Sequence, residues 1–223
     1  MLNISHLYVS FVKEYYTLND INLELNNGQK LIIVGSKESG RTAFLRTLLG
    51  LENIAKGDIA YNNIPIEKID FKNDISLGYI PAIPSFLERK TVMQNIEYIL
   101  KIRKENVKFQ QAKINNALTE YGLNYIKNKK VIELSYLDRI KLAIARLSVR
   151  NIDILYVDDI FVNLSSLERS KVIKFIKELI KINNCTSIIM TENEDVANEF
   201  GYRKKYLVYG SLSDNRAAIN SIN

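Results

Sequence analysis

The chain has 223 residues, 47% of them hydrophobic and 25% charged, with a formal net charge of +6 and a single cysteine. This length is ample for a buried core, no apolar run approaches the roughly 18 residues of a membrane-spanning helix, and one cysteine excludes an internal disulfide. The first residues do not read as a signal peptide, and we expect a cytoplasmic protein. The basic residues are spread along helical faces without interleaved aromatic residues. This pattern favours a solvated face first, an anionic membrane surface or an acidic partner next, and nucleic acid last.

The first third of the chain predicts short strands and one helix. Residues Ile21–Leu25 alternate between apolar and polar, and Leu31–Val34 form the wholly apolar run that is typical of a buried strand. A helix follows over Ala43–Leu49 and ends at Gly50. Further strands are predicted over Lys56–Asn63 and Ile75–Ile80.

Helical spacing of apolar residues prevails from Thr91 to about Asn128, which predicts a helical insertion between two parts of an α/β core. Ser165 and Glu168 form a capping box that begins a helix running to about Ile182. A single domain over 1–223 is expected, with its core at about 1–84 and 151–212, a helical subdomain at about 85–150 and a loose tail at about 213–223. The remaining predicted elements are a helix over Tyr136–Arg150 and strands over Ile152–Val157, Ser187–Met190 and Tyr206–Val208.

The most informative motif joins the apolar strand to the first helix. Its sequence, Gly35-Ser36-Lys37-Glu38-Ser39-Gly40-Arg41-Thr42, follows the phosphate-loop pattern G-x-x-x-x-G-K-[ST], with arginine in place of lysine. Glycines permit the tight turn, and backbone N–H groups at the start of a helix attract phosphate. All of these residues are therefore candidates for nucleotide binding, provided that the Glu38 carboxylate turns to solvent. The alternative is a strand-to-helix turn without a ligand.

A phosphate loop needs a metal site and a group that activates water. The Thr42 hydroxyl would coordinate Mg²⁺, and Arg41 would reach the β- and γ-phosphates. Asp158 ends the apolar strand at Ile152–Val157 and is predicted to complete the Mg²⁺ shell. Asp159 is then placed to act as a weak general base on the attacking water.

In this order of motifs the sequence resembles the nucleotide-binding domain of ATP-binding cassette (ABC) transporters over nearly its whole length. The resemblance implies an α/β P-loop NTPase fold with a mostly parallel sheet, an N-terminal antiparallel β subdomain and a small inserted helical subdomain. It also implies ATP and Mg²⁺ as ligands. The segments that carry it are Leu18-Asn19-Asp20-Ile21-Asn22-Leu23, Thr91-Val92-Met93-Gln94-Asn95-Ile96, Leu134-Ser135 followed by Lys141-Leu142-Ala143-Ile144-Ala145-Arg146, Asp158-Asp159, Arg203 and Gly210.

The chain departs from the family pattern at most catalytic positions. The aromatic residue that stacks on adenine falls near Phe11, or on Tyr15 if the loop is longer. In the signature sequence Ser135 remains, which in this family reaches the partner subunit's ATP. The replacements are Arg41 for the loop lysine, Ala82 for the Q-loop glutamine, Tyr136-Leu137-Asp138 for the signature Gly-Gly-Gln, Asp159 for the catalytic glutamate, Ile160 for the proline after it, Ser165 for the D-loop aspartate and Glu192 for the switch histidine.

These replacements predict a subunit that binds ATP and hydrolyses it slowly or not at all. Through the resemblance, we expect it to energise or regulate an integral membrane permease from the inner face of the cell membrane. A heterodimer with a second, better preserved ABC ATPase subunit is favoured over a homodimer, and no nucleic acid is expected. The alternatives are an ATPase that stays active despite its substitutions and a scaffold that has lost nucleotide.

Overall fold

The computed structural model describes residues 1–10, 15–71, 73–103 and 106–215, with the side chains of residues 107 and 108 left out. The strands are β1 (Leu2–Val9), β2 (Leu18–Leu25), β3 (Lys30–Val34), β4 (Lys56–Tyr61), β5 (Ile64–Pro65), β6 (Leu77–Ile80), β7 (Ile154–Asp158), β8 (Thr186–Thr191), β9 (Arg203–Val208) and β10 (Ser211–Ser213). The helices are α1 (Arg41–Leu48), α2 (Val92–Ile102), α3 (Val107–Glu120), α4 (Tyr136–Ser148), α5 (Ser166–Asn183) and α6 (Glu194–Phe200).

The described residues divide into two compact units. The first comprises Met1–Tyr79, Asp153–Asp159 and Asn184–Asn223, and the second comprises Ile80–Ile152 and Ile160–Asn183. A four-stranded sheet has the order β2-β1-β4-β5, and its neighbouring strands are antiparallel. A six-stranded sheet has the order β10-β9-β3-β8-β7-β6. Its inner strands β9, β3, β8 and β7 pair in parallel, while β10 runs antiparallel to β9.

The strands β3, β8 and β7 of the larger sheet are almost wholly buried and largely apolar. Every residue of β7 and β8 is buried, and so are the last four residues of β3. Near-continuous apolar runs of this kind are typical of parallel strands covered on both sides. The parallel order β3-β8-β7 brings the carboxyl ends of these strands to one edge, which is where α/β sheets place their ligands.

The core of the first unit contains one polar link between buried tyrosines. The Tyr61 hydroxyl donates to the carbonyl oxygen of Leu48 at 2.6 Å, and the Tyr156 hydroxyl lies 2.6 Å from that of Tyr61. Both rings are fully buried, and burial raises the pKa of both phenols. Each phenol thus stays neutral and hydrogen-bonded, as a buried polar group must.

The second unit is helical. Thr91 caps α2 through a complete capping box with Gln94. The capping box predicted at Ser165 and Glu168 is present at the start of α5, with the Ser165 N–H donating to the Glu168 carboxylate at 2.9 Å. Arg139 binds the Glu88 carboxylate through two nitrogens at 2.8 and 2.6 Å. No helix within the described ranges is long and apolar enough to cross a membrane.

The structure confirms the predicted α/β class. The helix α6 and the strands β5 and β10 were not predicted. The region predicted as one helical stretch from Thr91 holds two helices, α2 and α3. The strand predicted from Ile75 begins at Leu77, and the helix predicted to Arg150 ends at Ser148.

Candidate functional site

The turn between β3 and α1 is held by backbone contacts that leave no room for side chains at Gly35. The Gly35 N–H donates to the carbonyl oxygen of Thr191 at 3.0 Å. A Cβ on Gly35 would lie 2.5 Å from the Ser39 hydroxyl oxygen and 2.7 Å from the Leu207 carbonyl oxygen. The Ser39 hydroxyl itself donates to the Ser36 carbonyl oxygen at 2.8 Å, which closes the turn.

Helix α1 begins without a side-chain cap. Gly40 stands at its N-cap with a φ of 97°, a conformation in the left-handed region that favours glycine. The backbone N–H groups of Arg41, Thr42 and Ala43 belong to the first turn and have no intrahelical acceptor. Thr42 is exposed, and so is Glu38. The loop therefore presents unsatisfied donors and a hydroxyl, which is the chemistry that binds an oxyanion.

The Arg41 side chain is buried and paired within the protein. Its Nη1 donates to Oδ2 of Asp159 at 2.7 Å, and the two side chains are 7% and 6% exposed. Its Nη2 lies 3.8 Å from Oε2 of Glu192, which is 48% exposed. The Arg41 Nε is buried and has no acceptor among the described residues. Arg41 thus joins the two acidic residues and keeps one N–H without a partner.

Asp159 has both carboxylate oxygens engaged. Oδ2 accepts from Arg41 and lies 3.4 Å from the backbone nitrogen of Glu192, which donates to it. Oδ1 accepts from the Thr191 hydroxyl at 3.1 Å. The Asp159 N–H donates to the Met190 carbonyl oxygen at 2.9 Å, so its backbone is also held by β8. These contacts hold the Asp159 carboxylate, which the sequence predicts to act as a general base on the attacking water.

Asp158 ends β7 and is 8% exposed. Burial raises the pKa of Asp158 above its ordinary value; the Arg41 charge opposes this rise, and the neighbouring Asp159 carboxylate adds to it. Burial, with a contribution from Asp158, also raises the pKa of Tyr79 to about 12. Both shifts reflect a poorly solvated edge of the sheet.

The residues that the sequence predicts as Mg²⁺ ligands offer one buried carboxylate, Asp158, and one exposed hydroxyl, Thr42. Hard oxygen donors of this kind suit Mg²⁺, which keeps waters and takes phosphate oxygens for the rest of its shell. No cluster of three or more His, Cys, Asp or Glu side chains suited to a metal occurs in the described part of the chain. These two residues fit Mg²⁺ that arrives with a phosphate ligand.

A cavity of about 340 Å³ adjoins the loop. The loop contributes Gly35, Ser36 and Ser39 to its wall, and two acidic residues, Glu38 and Glu192, also line it. The end of β9 supplies the rest of the lining, namely Tyr206, Leu207, Val208 and Tyr209, together with Val34 from β3. The cavity beside the loop is therefore lined by loop residues together with the acidic residues Glu38 and Glu192.

The family model for ABC transporters matches residues 18–162, which include the loop, Asp158 and Asp159. The chain belongs to the ABC transporter family. Among curated ABC proteins, it is 29% identical over 218 residues to the lipoprotein-releasing system ATP-binding protein LolD of Francisella tularensis subsp. holarctica (strain OSU18), covering 94% of this chain and 93% of that protein. It is 25% identical over 215 residues to the sulfate/thiosulfate import ATP-binding protein CysA of Escherichia coli (strain K12), covering 95% of this chain and 58% of that protein.

Solved ABC structures share the fold. The cbiO1 protein of Clostridium perfringens, described as part of the ABC transporter complex cbiONQ, superposes with a TM-score of 0.84 at 20% identity, covering 99% of this chain and 91% of that one. The ATP-binding cassette MJ0796, solved as a dimer bound to ADP and Pi, gives a TM-score of 0.82 at 23% identity, covering 95% and 96%. At these identities the likeness establishes the fold of this ABC chain.

The signature position lies at the start of α4 in the second unit. Ser135 is the N-cap: its hydroxyl oxygen accepts from the Asp138 N–H at 3.2 Å and donates to Asp138 Oδ2 at 2.8 Å. Lys141 and the Tyr125 hydroxyl each donate to Asp138 Oδ1 at 3.1 Å. The start of α4 is therefore capped by the Ser135 hydroxyl, and the Asp138 carboxylate holds that hydroxyl in place.

The remaining predicted site residues are placed as follows. Phe11, assigned to adenine stacking, lies outside the described residues. Tyr15 is 68% exposed. The Ala82 carbonyl oxygen, at the Q-loop position, lies 3.4 Å from the Tyr136 hydroxyl, which also donates to the Ile160 carbonyl oxygen at 3.1 Å.

Sequence reasoning missed Thr191 and the pairing of Arg41 with Asp159. Thr191 follows the predicted strand Ser187–Met190, just as Asp158 follows the predicted strand Ile152–Val157. Because neighbouring parallel strands end at the same edge of a sheet, this pattern could have predicted that Thr191 lies near Asp158. The ion pair was not, since its partners are 118 residues apart in the chain.

Proposed function

We propose that this chain is a nucleotide-binding subunit of an ABC transporter that binds ATP and hydrolyses it slowly or not at all. The observation that carries the proposal is the buried ion pair between Arg41 and Asp159. In this pair Arg41, at the position of the family's phosphate-binding lysine, binds Asp159, at the position of the family's general base.

The loss of hydrolysis follows from what a general base requires. A base must present an oxygen within hydrogen-bond reach of its water, and it contributes about 10²- to 10⁴-fold in rate when it does. Both oxygens of Asp159 already accept hydrogen bonds from Arg41 and Thr191. Glu192 offers a carboxylate where the family has a histidine that contacts the γ-phosphate, and Ala82 lacks the side-chain amide of a glutamine. These losses act on the same step.

Nucleotide binding is supported by groups that the substitutions leave intact. The N–H groups of the first turn of α1 and the exposed Thr42 hydroxyl need no help from Arg41. Mg²⁺ bound with the nucleotide would be held by Thr42 and Asp158 and would neutralise phosphate charge. The loop therefore remains an oxyanion site even though the cation is turned away.

The proposal extends to partners. An integral membrane permease would hold the chain at the cytoplasmic face of the membrane, in line with the relatives named as ATP-binding proteins of lipoprotein release and of sulfate/thiosulfate import. We favour a heterodimer with a second ABC subunit over a homodimer. In a homodimer both sites would meet a signature whose Ser135 hydroxyl is bonded to Asp138 and followed by Tyr136.

Two measurements on the purified full chain test this proposal. We expect labelled ATP to bind in the presence of Mg²⁺, and Thr42→Ala to weaken binding at least about tenfold through loss of a metal ligand. Thr119→Ala, an exposed threonine of α3, serves as the matched control and leaves binding unchanged. Phosphate release is expected to be equally low in the wild type and in Asp159→Asn.

Each alternative has its own signature in this experiment. Rapid phosphate release that Asp159→Asn abolishes would identify an active ATPase and refute the proposed lack of turnover. Absence of binding to both ATP and ADP would identify a scaffold and refute the proposal as a whole.

A further inference from the structure

We propose that the phosphate loop selects a nucleoside diphosphate over the corresponding triphosphate, with Glu192 as the residue that rejects the third phosphate. This inference rests on the proposed nucleotide binding and adds which nucleotide the chain retains. It is carried by the charges around the loop and by the cost of releasing Arg41.

The part of the loop that suits a diphosphate is backbone. The N–H groups of Arg41, Thr42 and Ala43 lack intrahelical acceptors, and α1 has no acidic residue in its first turn. Donors of this kind are already in position and need no side-chain movement to meet an oxyanion. A diphosphate seated on them leaves the pair between Arg41 and Asp159 intact.

The space beyond these donors is acidic. Glu38 and Glu192 line the cavity beside the loop, while Asp158 ends β7 and Asp159 directly follows it. Against these four acidic residues stand Lys37, which is exposed, and Arg41, whose guanidinium is occupied by Asp159. A third phosphate adds negative charge beside carboxylates, which like-charge repulsion opposes most strongly where solvent is partly excluded.

The Arg41 cation of the loop cannot offset this repulsion without cost. Arg41 Nη1 lies 2.7 Å from Asp159 in a pair that is 7% and 6% exposed. Turning the guanidinium to a third phosphate would leave Asp159 buried without its counter-charge, which is strongly unfavourable. Glu192 is the exception among the acidic residues that face Arg41, because it is 48% exposed and only 3.8 Å from Nη2. Its charge can be removed without uncovering a buried partner.

The test compares equilibrium affinities for ADP and ATP by calorimetry at fixed Mg²⁺ and low ionic strength, on the wild type and two variants. We expect the wild type to bind ADP at least tenfold more tightly than ATP. Glu192→Gln should tighten ATP binding at least threefold and leave ADP binding unchanged. Asp195→Asn, which removes a carboxylate near the start of α6 but outside the cavity lining, is the matched control and should leave the ratio unchanged.

Two results overturn the inference while the proposed function stands. One is equal affinity for ADP and ATP, or tighter binding of ATP, in the wild type. The other is a Glu192→Gln variant whose affinities for the two nucleotides change by the same factor. If neither nucleotide binds, the proposed function fails and this inference fails with it.

Discussion

The guanidinium of Arg41 and the carboxylate of Asp159 form a hydrogen-bonded ion pair across 2.7 Å, and each side chain is less than 8% exposed. One residue opens α1 and the other directly follows β7, so the pair links the phosphate loop to the edge of the sheet. In the ABC family the residues at these two positions bind phosphate and activate water. In this protein the two side chains bind each other. Each buried charge is thus compensated by the other, and a ligand that recruits either side chain must break the pair.

Breaking this pair from one side should destabilise the fold. We expect Asp159→Leu alone and Arg41→Met alone each to lower the free energy of unfolding by about 3–5 kcal/mol, because the remaining charge is buried without its partner. The double variant should recover most of this loss, since an apolar pair needs no compensation. Urea denaturation of the three variants measures it. Single variants within about 0.5 kcal/mol of the wild type would show that the pair carries no such balance.

The raised pKa of Asp158 makes a pH prediction with a definite sign. Burial disfavours the charged carboxylate in the folded state, so Asp158 reduces stability progressively as the pH rises above the ordinary value of 3.8, and the full loss is reached above its folded pKa. We expect Asp158→Asn to be more stable than the wild type at pH 7, with a gap that narrows as the pH falls toward the ordinary value of 3.8. Denaturation curves at a series of pH values give the gap.

Glu88 provides a control of opposite sign. The hydrogen bonds from Arg139 lower the pKa of Glu88 below its ordinary value of 4.5, so its contribution is present above that value and lost as the pH falls through the folded pKa. Glu88→Gln should therefore be less stable than the wild type at pH 7. If Asp158→Asn and Glu88→Gln differed from the wild type in stability with the same sign, one of the two pKa shifts would be wrongly assigned.

Hydrolysis should not return through one substitution. The carboxylate in Asp159→Glu can still pair with Arg41, so we expect phosphate release to stay within about tenfold of the wild type. Combining it with Arg41→Lys, Ala82→Gln and Glu192→His restores the family's groups at the phosphate, and we expect a gain of about 10²-fold or more. Single-turnover phosphate release distinguishes these outcomes. Full recovery in Asp159→Glu alone would mean that the ion pair does not limit turnover.

The capping role of Ser135 predicts a stability effect that does not involve a partner. Its hydroxyl accepts from the Asp138 N–H, so Ser135→Ala should cost about 1 kcal/mol of unfolding free energy. Ser135→Thr keeps a hydroxyl and should cost less. Thermal unfolding of the isolated chain measures both. Equal stability of the alanine variant and the wild type would exclude a capping contribution.

Local sequence patterns identify much of this fold because its central strands are apolar runs and its helices have clear starts. Leu31–Val34 and the glycines after it predict β3 and the loop, and Ser165 with Glu168 predicts the start of α5. Helix α6 was missed although Asn193 caps it with its side chain, because a seven-residue helix offers too few turns for apolar spacing to emerge.

The sequence predicts which residues belong to the candidate site, but it does not predict which of them contact each other. The sequence places Arg41 in the loop and Asp159 after a buried strand, and the family pattern suggests that both face nucleotide. Their pairing depends on the strand order β3-β8-β7, which brings segments that are distant in the chain to one edge. A lysine-to-arginine change also lengthens the reach of the cation and gives it a fork suited to carboxylate. That geometry is visible only once the sheet is assembled.

Thr191 joins three parts of the site through one residue. Its carbonyl oxygen accepts from the Gly35 N–H, its hydroxyl donates to Asp159, and the same hydroxyl accepts from the Asn193 N–H, one residue before α6. A shift of the loop on ligand entry therefore reaches the carboxylate and the start of α6 together. Asn193 is far from the phosphate loop in the sequence. Slower hydrogen exchange of its amide with nucleotide than without it would indicate that the loop is occupied.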